Sequence, residues 1–177
     1  MKIVVTGPEC SGKSSLAAEL ANFYQVAYLQ EPARAYLRPG VSYQPSDLLA
    51  LCEQQLALEK SNSHNPLILD TDIQNLVIWW QEKYGPIPNR LVHHYLSQND
   101  EVDRFYLLCR PDLAWEFDPL RENPEDRDRL FDLYRKDLCA RKMSFVEIIG
   151  KGRQRLDMAL EYLQNVAGIT TITEPAT

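Results

Sequence analysis

"GPECSGKSS", residues 7–15, follows the apolar run "KIVV" at 2–5. Gly7, Gly12, Lys13 and Ser14 fit G-x-x-x-x-G-K-[ST], a pattern that carries meaning only between a strand and a helix. Both flanks qualify. Residues 2–6 read as a buried strand, and Leu16, Leu20 and Phe23 recur at helical spacing over 13–24. Glycines let such a loop curl until successive backbone N–H groups converge on phosphate oxygens, and the helix N-terminus adds partial positive charge. Lys13 would reach the β- and γ-phosphates, and the Ser14 hydroxyl would ligate Mg²⁺. The stretch therefore predicts a binding site for a nucleoside triphosphate, ATP with Mg²⁺, built on residues 7–15.

The rest of the chain continues in the same rhythm. Residues 26–30 read as a short strand stopped by Glu31-Pro32. Ser46 is placed to cap a long helix carrying Leu48, Leu49, Cys52 and Leu56. "PLILD" (66–70) is a strand too apolar for an exposed edge. Helices are expected over 73–84 and 89–98, then a strand over 104–108. A further helix should reach about 142, followed by the strand "FVEIIG" (145–150). A last helix carries Leu156, Leu160 and Leu163, and the tail "TTITEPAT" (170–177) is expected to fray. Alternating strands and helices predict one α/β domain over 1–177, a P-loop fold with a parallel sheet of about five strands.

Bulk properties narrow the function. The chain has 177 residues, 45% hydrophobic and 25% charged, with a formal net charge of −6. That balance argues against a broad nucleic-acid or anionic-membrane surface. No apolar run approaches the roughly 20 residues that span a bilayer, and the start lacks the apolar core of a signal peptide. Cys10, Cys52, Cys109 and Cys139 form no CxxC pair and read as reduced thiols of a cytoplasmic protein. Nothing in the sequence signals an oligomeric state.

A metal partner for the loop should be an acid ending a neighbouring strand, and "LILDTD" supplies Asp70, with Asp72 two residues on. No N-K-x-D guanine reader occurs; "CRPD" (109–112) has only the aspartate. A small-molecule kinase fits better, because it needs a compact core, an acceptor pocket and a cationic lid. Residues 112–128 are rich in Pro, Asp, Glu and Arg and read as a mobile lid bearing Arg121 and Arg127, with Arg129 just beyond. The acceptor pocket should lie at the strand ends, beside "QEPAR" (30–34) and "DTDIQNLVIWW" (70–80). Glu31 and Asp72 are both candidate bases, Arg34 a candidate clamp, and Tyr36, Trp79 and Trp80 candidates to stack on a planar ring.

Taken together, "GPECSGKSSLAAELA", "EPARAYL", "DTDIQNLVIWWQEKYG", "WEFDPLRENPEDRDR" and "VEIIGKGRQR" resemble the nicotinamide riboside kinase domain of the bifunctional NadR proteins of bacterial NAD synthesis. The resemblance spans nearly the whole chain. It implies ATP-dependent phosphorylation of a nucleoside 5′-hydroxyl, most specifically that of nicotinamide riboside. By the same resemblance, Gly7, Glu9, Cys10, Ser11, Gly12, Lys13, Ser14 and Ser15 bind phosphate, and Asp70 and Asp72 fall on the metal and acceptor block. Arg121 and Arg127 fall on the lid, and Gly152 and Arg155 on the loop passing the adenine. Glu31-Pro32 is also similar to the strand-end Glu-Pro of deoxynucleoside kinases, where the glutamate acts as base. No H-x-G-H signature occurs, so nucleotidylyltransferase and repressor activities are not expected of this chain. The alternatives are a kinase for another nucleoside or small ribosylated metabolite, and a nucleotide-binding regulator.

Overall fold

The computed structural model describes residues 1–38, 41–101, 103–118, 121 and 123–168. The expected fraying of 170–177 lies outside the described residues, as does part of the expected lid. Five strands, β1 (Lys2–Thr6), β2 (Tyr28–Leu29), β3 (Leu67–Asp70), β4 (Arg104–Cys109) and β5 (Ser144–Ile148), form one sheet in the order β2-β3-β1-β4-β5. Every pairing is parallel; Val5 lies opposite Asp70 on one side and Leu107 on the other. The helices are α1 (Lys13–Tyr24), α2 (Ala33–Tyr36), α3 (Pro45–Ser61), α4 (Ile73–Tyr84), α5 (Asn89–Ser97), α6 (Arg127–Ala140) and α7 (Arg153–Ala167).

Strand alternation divides the core between two faces. Ile3 and Val5 of β1 turn to α1 and α7, where they meet Leu16, Leu20, Leu156 and Leu163. Val4 turns the other way, to Ile78 of α4 and Phe131, Tyr134 and Leu138 of α6. A third apolar cluster beyond the sheet joins α3, α4 and α5 through Leu48, Leu51, Trp80 and Leu91. With both faces covered, the central strands are largely apolar, as expected for a parallel sheet. β1 lies between β3 and β4, so the loop after it opens where chain connections diverge, the usual ligand-binding end of such sheets.

Some boundaries differ from the sequence expectation. α3 starts at Pro45 rather than after Ser46, because Pro suits the first helical position and the Asp47 carboxylate accepts the Gln44 N–H at 2.6 Å. β2 pairs over only two residues, and "ARAY" makes a one-turn helix that its short apolar content does not signal.

A buried ion cluster ties the back of the sheet to α3 and α4. The Arg104 guanidinium meets Glu59 Oε2 at 2.5 Å and Asp72 Oδ2 at 2.9 Å, all three side chains being nearly sealed from solvent. Burial pulls the Arg104 pKa down, and the two carboxylates more than reverse that, leaving it raised. Removing the guanidinium leaves Asp72 buried without its ion pair and Glu59 with only Lys2, so Arg104→Met is expected to cost about 3–5 kcal/mol. Urea unfolding checks this; a variant as stable as the parent would contradict it.

Candidate functional site

The loop after β1 begins at Gly7, whose φ of 132° few side chains tolerate; a Cβ there would lie 2.6 Å from the Cys109 carbonyl oxygen. Gly12 (φ 76°) leads into α1, and its Cβ would meet Leu113 at 2.8 Å. Gly7 is thus required for space as well as for conformation, and Gly12 for its conformation, since the Leu113 side-chain tip could shift. Between them Cys10 also takes positive φ, 53°. The result is a curled loop ending on the N-terminus of α1, the geometry of an anion cradle.

A cavity of about 440 Å³ opens over this loop, lined by its residues 10–15 and by Arg34, Asp70, Glu116 and Arg121. Lys13 Nζ folds back on the Pro8 carbonyl at 2.7 Å, and Arg34 Nη2 reaches Ser14 Oγ at 3.4 Å. Asp70 ends β3 beside the loop, and its Oδ1 is buried without a hydrogen-bond partner. A sealed carboxylate oxygen next to a hydroxyl and a phosphate cradle fits a divalent cation, so Ser14 and Asp70 together suit Mg²⁺.

A second, smaller cavity of about 50 Å³ lies beside the first and shares Cys10, Lys13, Arg34 and Arg121 with it. Its other walls include Glu9, Glu31, Leu37, Asn75, Trp79 and Asp118. Glu31 Oε1 accepts from Asn75 Nδ2 at 2.8 Å, and Oε2 lies 3.9 Å from Arg34 Nε. Burial pushes the Glu31 carboxyl above its ordinary pKa, against the opposing pull of Lys13. Trp79 lines this cavity with one ring face stacked on Tyr43 (5.9 Å between centroids), while Trp80 is buried in the core. Tyr36 is drawn off to Asp47, 3.1 Å from its hydroxyl.

Asp72 does not join either cavity. Its Oδ1 caps α4 by accepting the Gln74 N–H at 3.0 Å, and its Oδ2 is held by Arg104 and by the Tyr106 hydroxyl at 2.8 Å. Both oxygens of Asp72 are thus engaged by α4 and β4, and its carboxylate lies outside the two cavities that Asp70 and Glu31 line. The apolar flanks of "DTDIQ" hid this: two residues of offset along a strand-to-helix turn carried the second acid inward.

The excursion after β4 is fastened to the cradle at several points. Cys10 Sγ receives the Glu116 N–H at 3.2 Å and the Arg121 guanidinium at 3.3 Å, and Glu9 Oε2 accepts the Asn123 N–H at 2.9 Å. Arg127 Nη1 donates to the carbonyls of Cys10 (3.3 Å) and Leu113 (3.1 Å). Arg121 thus lines both cavities, whereas Arg127 braces the loop from behind, and Arg129 pairs with Glu82 and Asp126 away from the site.

Arg155 is buried rather than presented. Its guanidinium bonds the Ser11 carbonyl at 2.6 Å and Asp112 Oδ1 at 2.7 Å, and Asp112 Oδ2 accepts the Gly150 N–H at 2.6 Å. It therefore clasps the cradle, the start of the excursion and the β5–α7 loop together. Gly152 and Arg155 also border a third cavity of about 240 Å³ with Leu16, Leu113 and Glu19. Asp112, Asn75, Tyr43 and Tyr134 are contributors that sequence patterns did not single out. Only Asn75 left a trace, as one of two amides opening the otherwise apolar run "IQNLVIWW".

With this geometry in place, the comparisons with known proteins fall into line. Residues 2–155 match the AAA_28 family, described as an AAA domain. The chain belongs to this AAA domain family. Among solved structures, this AAA domain is similar to a NadR protein in complex with NR (TM-score 0.71, 16% identity), covering 99% of this chain and 54% of that one. A NadR protein in complex with NAD and AMP-PNP is similar too (TM-score 0.68, 16% identity, 97% and 51% covered). A deoxyadenosine kinase from M. mycoides with products bound has a TM-score of 0.67 at 13% identity, with 94% and 100% covered. The fold is therefore that of P-loop nucleoside kinases, and the AAA domain spans about half the length of the NadR proteins it matches. No curated protein matches the sequence. No helix among the described residues is long and apolar enough to cross a membrane.

Proposed function

We propose that the protein is an ATP-dependent nucleoside kinase. The observation that carries this reading is the pair of adjoining cavities, one over a phosphate cradle and one holding Glu31, with Lys13, Arg34 and Arg121 lining both. In this reading residues 7–15 hold the triphosphate and the cavity beside Leu113 and Gly152 takes the adenine. The acceptor nucleoside lies against Trp79 and Leu37 with its hydroxyl at Glu31. Ser14 and Asp70 would hold Mg²⁺, which when bound offsets the charge of the β- and γ-phosphates. Glu31 accepts the hydroxyl proton, while Lys13, Arg34 and Arg121 face the charge spread over the moving phosphoryl group.

The specific acceptor we propose is nicotinamide riboside, supported by the resemblance of the "EPARAYL" and "DTD" blocks and by the likeness to a NadR protein in complex with NR. A panel of nucleosides, each offered with ATP·Mg²⁺ and followed by ADP release, tests this. Nicotinamide riboside should give the highest kcat/KM. Preference for another nucleoside would keep the kinase and overturn this acceptor, and tight ATP binding with no stimulation by any acceptor would favour a nucleotide-binding regulator.

The segment 112–128 acts in this scheme as a lid gripping the cradle through Cys10 and Glu9. Its amides should gain hydrogen-exchange protection when ATP·Mg²⁺ binds. Unchanged exchange would rule out a lid. Arg121→Ala should lower kcat about 100-fold while ATP affinity changes by less than about threefold, since the guanidinium serves the transition state.

A further inference from the structure

Glu31 is held by a chain of side chains that begins across the acceptor cavity. Asn75, the third residue of α4, is only 2% exposed, and its Nδ2 donates to Glu31 Oε1 at 2.8 Å. Its Oδ1 accepts from the Tyr134 hydroxyl of α6, which is likewise buried. A carboxylate can only accept when ionised, so the Asn75 amide must present its NH₂ to Glu31. Its carbonyl oxygen is thereby turned to Tyr134, whose hydroxyl donates to it.

We infer that Tyr134 and Asn75 form a one-way hydrogen-bond chain that positions Glu31, occupying Oε1 and leaving Oε2 for the acceptor hydroxyl. This rests on the reading of Glu31 as the base. Asn75 and Glu31 both line the acceptor cavity, so the chain ends at the carboxylate that would take the acceptor's proton. Asn75 and Tyr134 are positioning residues. The other charges around Glu31 are Lys13 of α1, Arg34 of α2, Asp70 at the end of β3, Glu9 of the cradle, and Asp118 and Arg121 across the cavity.

A donor bonded to a carboxylate favours its ionised form, so deleting the donor raises the titration midpoint. The test is the ¹³C titration of the Glu31 carboxyl in the whole protein, its resonance assigned by its loss in Glu31→Gln. Asn75→Ala should raise the midpoint by about one pH unit, and Tyr134→Phe by a smaller amount in the same direction. Asn75→Ala should also lower kcat about 10- to 100-fold with KM for ATP unchanged. Tyr134→Phe removes a single oxygen and keeps the packing, so it reports even if Asn75→Ala unfolds. Lowered melting temperatures with unchanged midpoints would make the chain merely structural and overturn the inference. Raised midpoints alongside full activity of Glu31→Gln would instead leave the chain standing and remove Glu31 as the base.

Discussion

Lys13→Ala is expected to reduce nucleotide turnover by at least about 10³-fold, the scale on which cationic groups act in phosphoryl transfer. Lys13 is the first residue of α1 and its ammonium rests on the Pro8 carbonyl, inside the cradle rather than in the core. A cation at a helix N-terminus opposes the helix dipole, so removing it relieves repulsion of about 0.3–1 kcal/mol and offsets the lost hydrogen bond. The melting temperature should therefore stay within about 3 °C of the parent while activity vanishes. Steady-state kinetics beside a thermal melt separates the two effects. Parental turnover by a folded Lys13→Ala protein would remove the phosphate cradle from the account.

The second large effect separates two acids that the sequence leaves equivalent. Glu31→Gln should lower kcat about 10²- to 10⁴-fold with ATP·Mg²⁺ affinity unchanged, because the amide cannot accept the hydroxyl proton. Asp72→Asn should instead cost stability, about 2–4 kcal/mol, because it strips the charge from a sealed partner of Arg104. Its folded fraction should retain most of its turnover. The pH dependence follows from the same burial. The base works ionised, and burial favours the neutral carboxyl, so activity should fall on the acid side at a higher pH than for an exposed glutamate. That limb should vanish from the residual activity of Glu31→Gln. The reverse pattern, with Glu31→Gln active and Asp72→Asn folded but slow, would assign the base to Asp72.

The cradle, the alternation of strands and helices and the place of Asp70 at a strand end were legible in the sequence because each is local. A strand, a glycine loop and a helix lie consecutively in 2–24, and a strand-terminal acid needs only its own apolar run to be recognised. What was not legible depends on tertiary contacts. Asp70 and Asp72 differ by two residues, yet one faces a cavity and the other Arg104, 32 positions along the chain. Arg121 and Arg127 look alike in "LRENPEDR", but only Arg121 lines the cavities, because Arg127 opens α6 and points at the back of the cradle. Arg155 falls by resemblance on the loop passing the adenine, and its guanidinium is enclosed by three carbonyl or carboxylate partners.

The clasp around Cys10 and Glu9 has a mechanical consequence for the site. The same loop that would hold phosphate also holds residues 114, 116, 121 and 123 by direct hydrogen bonds. Rearrangement of the cradle around a triphosphate therefore bears directly on the segment that carries Arg121.

The central claim, transfer of a phosphoryl group from the cradle to an acceptor beside Glu31, is tested most directly by ATP labelled at the γ-phosphate. Incubated with Mg²⁺ and a nucleoside, the protein is expected to place the label on the nucleoside 5′-oxygen, one monophosphate for each ADP formed. Label found only in inorganic phosphate, or retained in ATP with every nucleoside offered, would contradict it.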